Sequence, residues 1–160
     1  MTNTYLSFMV CGEQFATDVG KVLEVLQTQH ITVVPNTPGF IKGIINFRGD
    51  VVPVFESRVK FNLPDRDKDA SFNIIVLDIA RESEKFRTGV IVDHVRDVIT
   101  INDNDIKPVP QMGHDLNTEF LKGIYKLNED FILMLDVDNV FLGSELKAVG
   151  ESKVEIDSNM

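Results

Sequence analysis

The chain is short of cysteine, of positive charge and of long apolar runs, and each shortage excludes something. Its single thiol, Cys11, cannot form an internal disulfide, which fits a reducing compartment. The opening residues Met1-Thr2-Asn3-Thr4-Tyr5 have no basic leader, and no stretch reaches the roughly 20 apolar residues a membrane helix needs. The expected location is therefore the cytoplasm. Sixteen basic residues stand against 25 acidic ones, a net charge of −9. A surface of that sign repels phosphate backbones and anionic lipid, so nucleic acid and direct membrane insertion drop out as partners.

Catalytic signatures are missing too. His30, His94 and His114 lie far apart and form no close-spaced metalloprotease pair. Asp103-Asn104-Asp105 and Asp136-Val137-Asp138-Asn139 lack the glycine and glutamate of a calcium loop, so they read as turn and cap chemistry. There is no G-x-S-x-G, no phosphate-cradling glycine run and no dinucleotide fingerprint. Nothing in the spacing of Glu24, Glu56 and Asp136 sets one carboxylate against another, and Cys11 beside a turn reads as a structural thiol. The expectation is a protein without enzymatic activity, cofactor or metal.

What is present is a repeat. Phe40–Glu56 (FIKGIINFRGDVVPVFE) returns eighty positions later, without a gap, as Phe120–Asp136 (FLKGIYKLNEDFILMLD). Phe40, Lys42, Gly43, Ile44 and Asp50 recur as Phe120, Lys122, Gly123, Ile124 and Asp130. Each copy reads as two strands about a tight turn, and the two hairpins are expected to be equivalent, with Ile44 and Ile124 both buried. Pro53 in the second strand points to an edge or a bulge.

The rest of the chain follows the same rhythm. Leu6–Thr17 reads as a hairpin turning at Gly12, and Asp18 as the N-cap of one turn. Val22-Leu23-Glu24-Val25 resembles Val95-Arg96-Asp97-Val98, and Pro35/Pro38 precede the first central hairpin as Pro108/Pro110 precede the second. Ser57–Ala70 reads as a charged connection without chemistry. Phe72–Ile79 reads as a strand covered on both faces, Arg81–Arg87 as a solvated loop and Asp138–Ala148 as a closing helix. Many short strands and an internal duplication point to two small β-barrels around a shared core. Residues 1–150 are read as one unit with subdomains at about 5–68 and 69–143, and 151–160 as a fraying acidic tail.

The copies differ at the turn, where Arg48-Gly49 becomes Asn128-Glu129. Arg48 reads either as a solvated turn residue or as a rigidly presented cationic fork suited to a carboxylate on another protein. That Arg48-Gly49-Asp50 spells a cell-adhesion tripeptide is coincidence in so cysteine-poor a chain.

The run from Phe40 to Gly49, with Val51-Val52-Pro53-Val54, resembles the Gly-x-x-Asn-Leu-Arg-Gly-x-x-x-Pro motif of the CheW coupling proteins of bacterial chemotaxis. Val22–Val25 is similar to that family's Val-x-Glu-Val, and Val33–Pro38 to the segment before its central hairpin. Phe47, Phe55-Glu56-Ser57 and Asn62 depart from the family's usual Leu, Ile-Asp-Leu and Phe-Gly. The resemblance spans Tyr5 to Leu142. It implies a mainly β fold of two SH3-like five-stranded barrel subdomains and a non-enzymatic adaptor, monomeric alone, assembled in receptor arrays. The partners it implies are the regulatory domain of a CheA-type histidine kinase and the cytoplasmic tip of methyl-accepting chemoreceptors. Carried over by motif, Val22, Glu24, Gly43 and Arg48 are the expected coupling residues. A small-molecule sensor with a pocket between the barrels, and an enzyme with an unrecognised site, are the competing readings.

Overall fold

The computed structural model describes residues 1–27, 29–81, 84–110 and 120–140. The strands are β1 (Thr2–Val10), β2 (Glu13–Asp18), β3 (Val22–Leu26), β4 (Ile41–Phe47), β5 (Asp50–Glu56), β6 (Asn73–Arg81), β7 (Glu84–Val92), β8 (His94–Asn102), β9 (Leu121–Leu127) and β10 (Asp130–Leu135). One short helix, α1 (Ser57–Lys60), follows β5. Asp18 caps the 3-10 turn Val19–Lys21, accepting a 2.8 Å hydrogen bond from the Gly20 N–H. Of the segment 81–87 read as a loop, Arg81 belongs to β6 and 84–87 to β7, and 82–83 lie outside the described residues. Of the expected closing helix Asp138–Ala148, the described residues show the 3-10 turn Val137–Asn139, and 141–148 lie outside them.

The strands form two five-stranded sheets of the same plan, β8-β1-β2-β10-β9 and β3-β6-β7-β5-β4. The two repeat hairpins, β4–β5 and β9–β10, occupy equivalent places, as expected. The sheets do not divide near residue 68, however. Each combines strands from before the linker with strands from after it, joined by the parallel pairs β2–β10 and β5–β7. The division into halves at 5–68 and 69–143 therefore does not describe the sheets. Each sheet curls until the segment beyond its edge strand touches the opposite edge, at the single bridges Thr32↔Ile44 and Lys107↔Ile124. Closure is one bridge per sheet rather than a full ladder.

Pro53 is on an interior strand, not an edge. Ile44, opposite it, spends its N–H and C=O on Thr32 at 2.8 and 2.9 Å, so no bond to β4 is required of Pro53. Pairing of β5 with β7 begins only at Val54. The missing proline donor thus falls outside both ladders.

Period-two alternation explains the layering. On β6, Ile74 and Val76 face one core with Ile45, Phe47, Val52 and Val54, while Ile75, Leu77 and Ile79 face the layer between the sheets. On the other side, Tyr5, Ala16, Ile101, Ile132 and Met134 fill a third core, and Leu6, Phe8, Val10 and Phe15 join the middle layer. The strand at 73–79 is therefore covered on both faces, as its unbroken apolar run implies. Four rings, Phe8, Phe15, Phe61 and Phe120, stack in series at centroid spacings of 5.9, 5.5 and 5.1 Å, tying the linker's Phe61 to the β8-β1-β2-β10-β9 sheet. Ile44 and Ile124 are only half-buried, contrary to expectation. Their backbones face the bridge strands, and in the first copy the neighbouring Ile45 takes the core position.

Within the middle layer the Thr17 hydroxyl is 1% exposed and has no hydrogen-bond partner. It borders a void of about 20 Å³ whose other lining is apolar, including Phe8, Phe55, Ile75 and Leu135. A water there would lack the two or more polar partners that hold buried water. Thr17→Val, equal in shape but without the orphan hydroxyl, is expected to raise stability by about 1 kcal/mol. Urea unfolding measures this, and a loss of stability would mean that the hydroxyl is satisfied.

Candidate coupling surface

The surface is built on the β4–β5 turn. Phe47 pairs with Asp50, so Arg48 and Gly49 are its two central residues, with φ of 54° and 86°. Positive φ at both positions is the turn that asparagine and glycine favour, and Asn46 braces it by accepting the Gly49 N–H at 2.9 Å. The second hairpin has asparagine there, Asn128 at φ 57°. An arginine in the left-handed region costs on the order of 1 kcal/mol, so turn closure does not account for Arg48.

The Arg48 guanidinium lies 4.7 Å from the centroid of the Phe47 ring and 3.6 Å from a Glu24 carboxylate oxygen. That separation is too long for a hydrogen bond, and the Arg48 side chain is 63% exposed, so the pair contributes only about 0–1 kcal/mol. Arg87 approaches the same ring at 5.7 Å and pairs with Asp50 at 2.9 Å. Two guanidiniums therefore cluster at one hairpin end of a chain with net charge −9.

Curling of the sheet brings edge strand β3 to this turn. Glu24 meets Arg48, Val22 packs half-buried against the middle layer, and Val25 is exposed between them and solvent. Gly43 does not join this surface. It is buried at φ +154°, and a Cβ there would run onto the Thr32 carbonyl oxygen of the closing bridge. Gly123 stands in the same relation to Lys107, whose carbonyl oxygen a Cβ would meet at 2.6 Å. The recurrence of glycine in both copies follows from the bridge.

Beside each bridge lies an open groove. The first, about 520 Å³, is lined by Gln29, His30, Thr32, Ile44 and Asn46; the second, about 540 Å³, by Pro108, Pro110, Ile124, Tyr125 and Phe131. Phe131 is 58% exposed. Among the described residues no three of His, Cys, Asp and Glu converge on a metal site. No helix among them is long and apolar enough to cross a membrane.

Sequence reasoning missed an ion network in the linker. Arg66 forks onto Glu56 at 2.8 and 3.2 Å and donates to Asp93 at 2.7 Å. Arg58 forks onto the same Asp93 at 2.8 and 3.2 Å and also donates to the carbonyls of Pro64 and Asp65. The Cys11 N–H donates to Asp93 at 2.8 Å. The Arg66 and Glu56 side chains are only 10% and 6% exposed. The available signal is two arginines, Arg58 and Arg66, in the charged connection Ser57–Ala70.

Comparison with known proteins agrees with this architecture. The model of the CheW-like domain matches residues 4–145. A chemotaxis protein CheW from Klebsiella aerogenes is 32% identical over 91% of this chain and 85% of that protein. One from Bacillus subtilis is 36% identical, covering 83% of each. The crystal structure of the scaffolding protein TtCheW from Thermoanaerobacter tengcongensis superposes with a TM-score of 0.77 at 33% identity, over 91% of this chain and 96% of that one. With the matched domain spanning both interlaced sheets, the chain belongs to the CheW-like family.

Proposed function

We propose that this protein is a non-enzymatic signalling adaptor, cytoplasmic and monomeric on its own, that couples the tips of chemoreceptors to the regulatory domain of a CheA-type histidine kinase. Arg48 carries the reading at residue level. It holds a backbone conformation that favours asparagine, its ion pair with Glu24 is loose and exposed, and its counterpart in the second copy is an asparagine. Its fork can accept a partner's carboxylate in place of Glu24. Val22, Glu24 and the exposed Val25 extend the contact along β3, while Gly43 shapes it from beneath.

The test is receptor-stimulated kinase phosphorylation in a reconstituted mixture. Arg48→Ala is expected to stay folded, within about 0.5 kcal/mol of wild type, and to lose coupling. Arg48→Lys should recover part of it, because the charge returns without the fork. Arg48→Asn, copying the second turn, should be as stable as wild type or about 1 kcal/mol more so, and still uncoupled. Wild-type kinase activation by the alanine variant would move the contact to Val22 and Glu24.

A further inference from the structure

Of the eight strand ladders among the described residues, four join the chain before the linker to the chain after it: β1–β8, β2–β10, β3–β6 and β5–β7. The middle core likewise takes Phe8, Phe15 and Phe55 from the first part and Ile75, Leu77 and Leu135 from the second. None of these contacts requires the two parts to be on one molecule; only the linker imposes that. Up to Arg66 the linker is tied to the first part, through Arg66 on Glu56. From Asn73 it is strand β6. What lies between is 67–72, where the Ala70 N–H donates to the Asp67 carbonyl at 3.1 Å.

We propose that this chain exchanges halves with a second copy of itself, giving a closed two-fold dimer. Residues 1–66 of each copy then pair with the strands from Asn73 onward of the other, and 67–72 is the hinge. All four inter-half ladders, the middle core and the Arg58–Asp93 fork re-form between copies with unchanged geometry. The monomer prevails in dilute solution because a tethered partner has an effective concentration in the millimolar range. The dimer, once made, persists, since reverting requires all four ladders to open together. The inference rests on topology and is independent of the adaptor reading.

Two full-length variants test it, Arg58→Glu and Asp93→Arg. Each alone sets like charges against each other across the linker network. In an exchanged heterodimer the new carboxylate of one copy faces the new guanidinium of the other, and the native Arg58 and Asp93 meet in the second unit. Co-refolding from denaturant at high concentration should give a species of twice the monomer mass by light scattering. It should melt at least about 5 °C above either variant refolded alone, because the exchanged pairing replaces the 58–93 repulsion of each variant with one native and one charge-reversed attraction. Arg66 opposes the new guanidinium at 93 alike in the Asp93→Arg variant and in the heterodimer. This comparison holds even if neither variant folds by itself. A mixture that elutes as monomer and melts as the sum of its components overturns the proposal.

Discussion

Asp93→Ala is expected to destabilise the protein by about 3–5 kcal/mol, toward the lower figure because the Asp93 side chain keeps one-fifth of its exposure. The loss exceeds that of an ordinary surface ion pair because two arginines depend on this carboxylate. With it gone, Arg58 is left with the carbonyls of Pro64 and Asp65, and Arg66 with Glu56 and the Phe72 ring. The Cys11 N–H loses its acceptor as well. Chemical denaturation measures the change, and a loss below about 1 kcal/mol would show that the linker is not held by this network. Burial by itself raises the Asp93 carboxyl, but the Arg58 hydrogen bond, the Cys11 N–H and the Arg66 charge outweigh it and hold it below the usual carboxylate range. A lowered folded value means the stabilisation is complete above the unfolded carboxylate value of about 4 and drains as pH falls through the folded one. The acid limb of stability against pH should therefore be shallower in Asp93→Asn than in wild type.

Gly43→Ala is expected to cost about 2–4 kcal/mol, combining a backbone angle hostile to side chains with a methyl driven onto the Thr32 carbonyl. The sheet can relieve the clash only by breaking the bridge that closes it. Gly49→Ala separates the two causes. Gly49 has φ +86° but open space around its would-be Cβ, so its substitution should cost only about 1 kcal/mol. Equal losses at the two positions would mean that the bridge contributes nothing. Coupling defects in a Gly43 variant would then trace to less folded protein, whereas those in Arg48→Ala would appear with the fold intact. Thermal melts of the three proteins distinguish the cases.

Much of this architecture was legible because it is written in short-range pattern. The gapless repeat announces two equivalent hairpins, and β4–β5 and β9–β10 are equivalent. The apolar run at Phe72–Ile79 announces a strand covered on both sides, and it separates two cores. Arg48 stood out by difference between copies, and its left-handed φ supplies the physical reason. Gly43 matched a motif without disclosing its task, because the carbonyl that excludes a side chain there belongs to Thr32, eleven positions away and on a different segment. Glu56 and Asp93 gave no sign of sharing Arg66, since they come together only where β5 and β7, from opposite sides of the linker, end side by side.

By itself the sequence determined the two repeat hairpins, the doubly covered strand, the duplication, the absence of recognisable catalytic motifs and the one arginine that hairpin closure does not explain. These are properties of local chemistry: apolar period, turn residues and charge. Which hairpin joins which sheet was decided only in three dimensions. Both central hairpins carry the same alternation, so either would bury its apolar face equally well beside either outer hairpin. The choice falls to the parallel pairs β2–β10 and β5–β7, to the linker held by Arg58 and Arg66, and to a middle layer that must be filled from both parts of the chain at once.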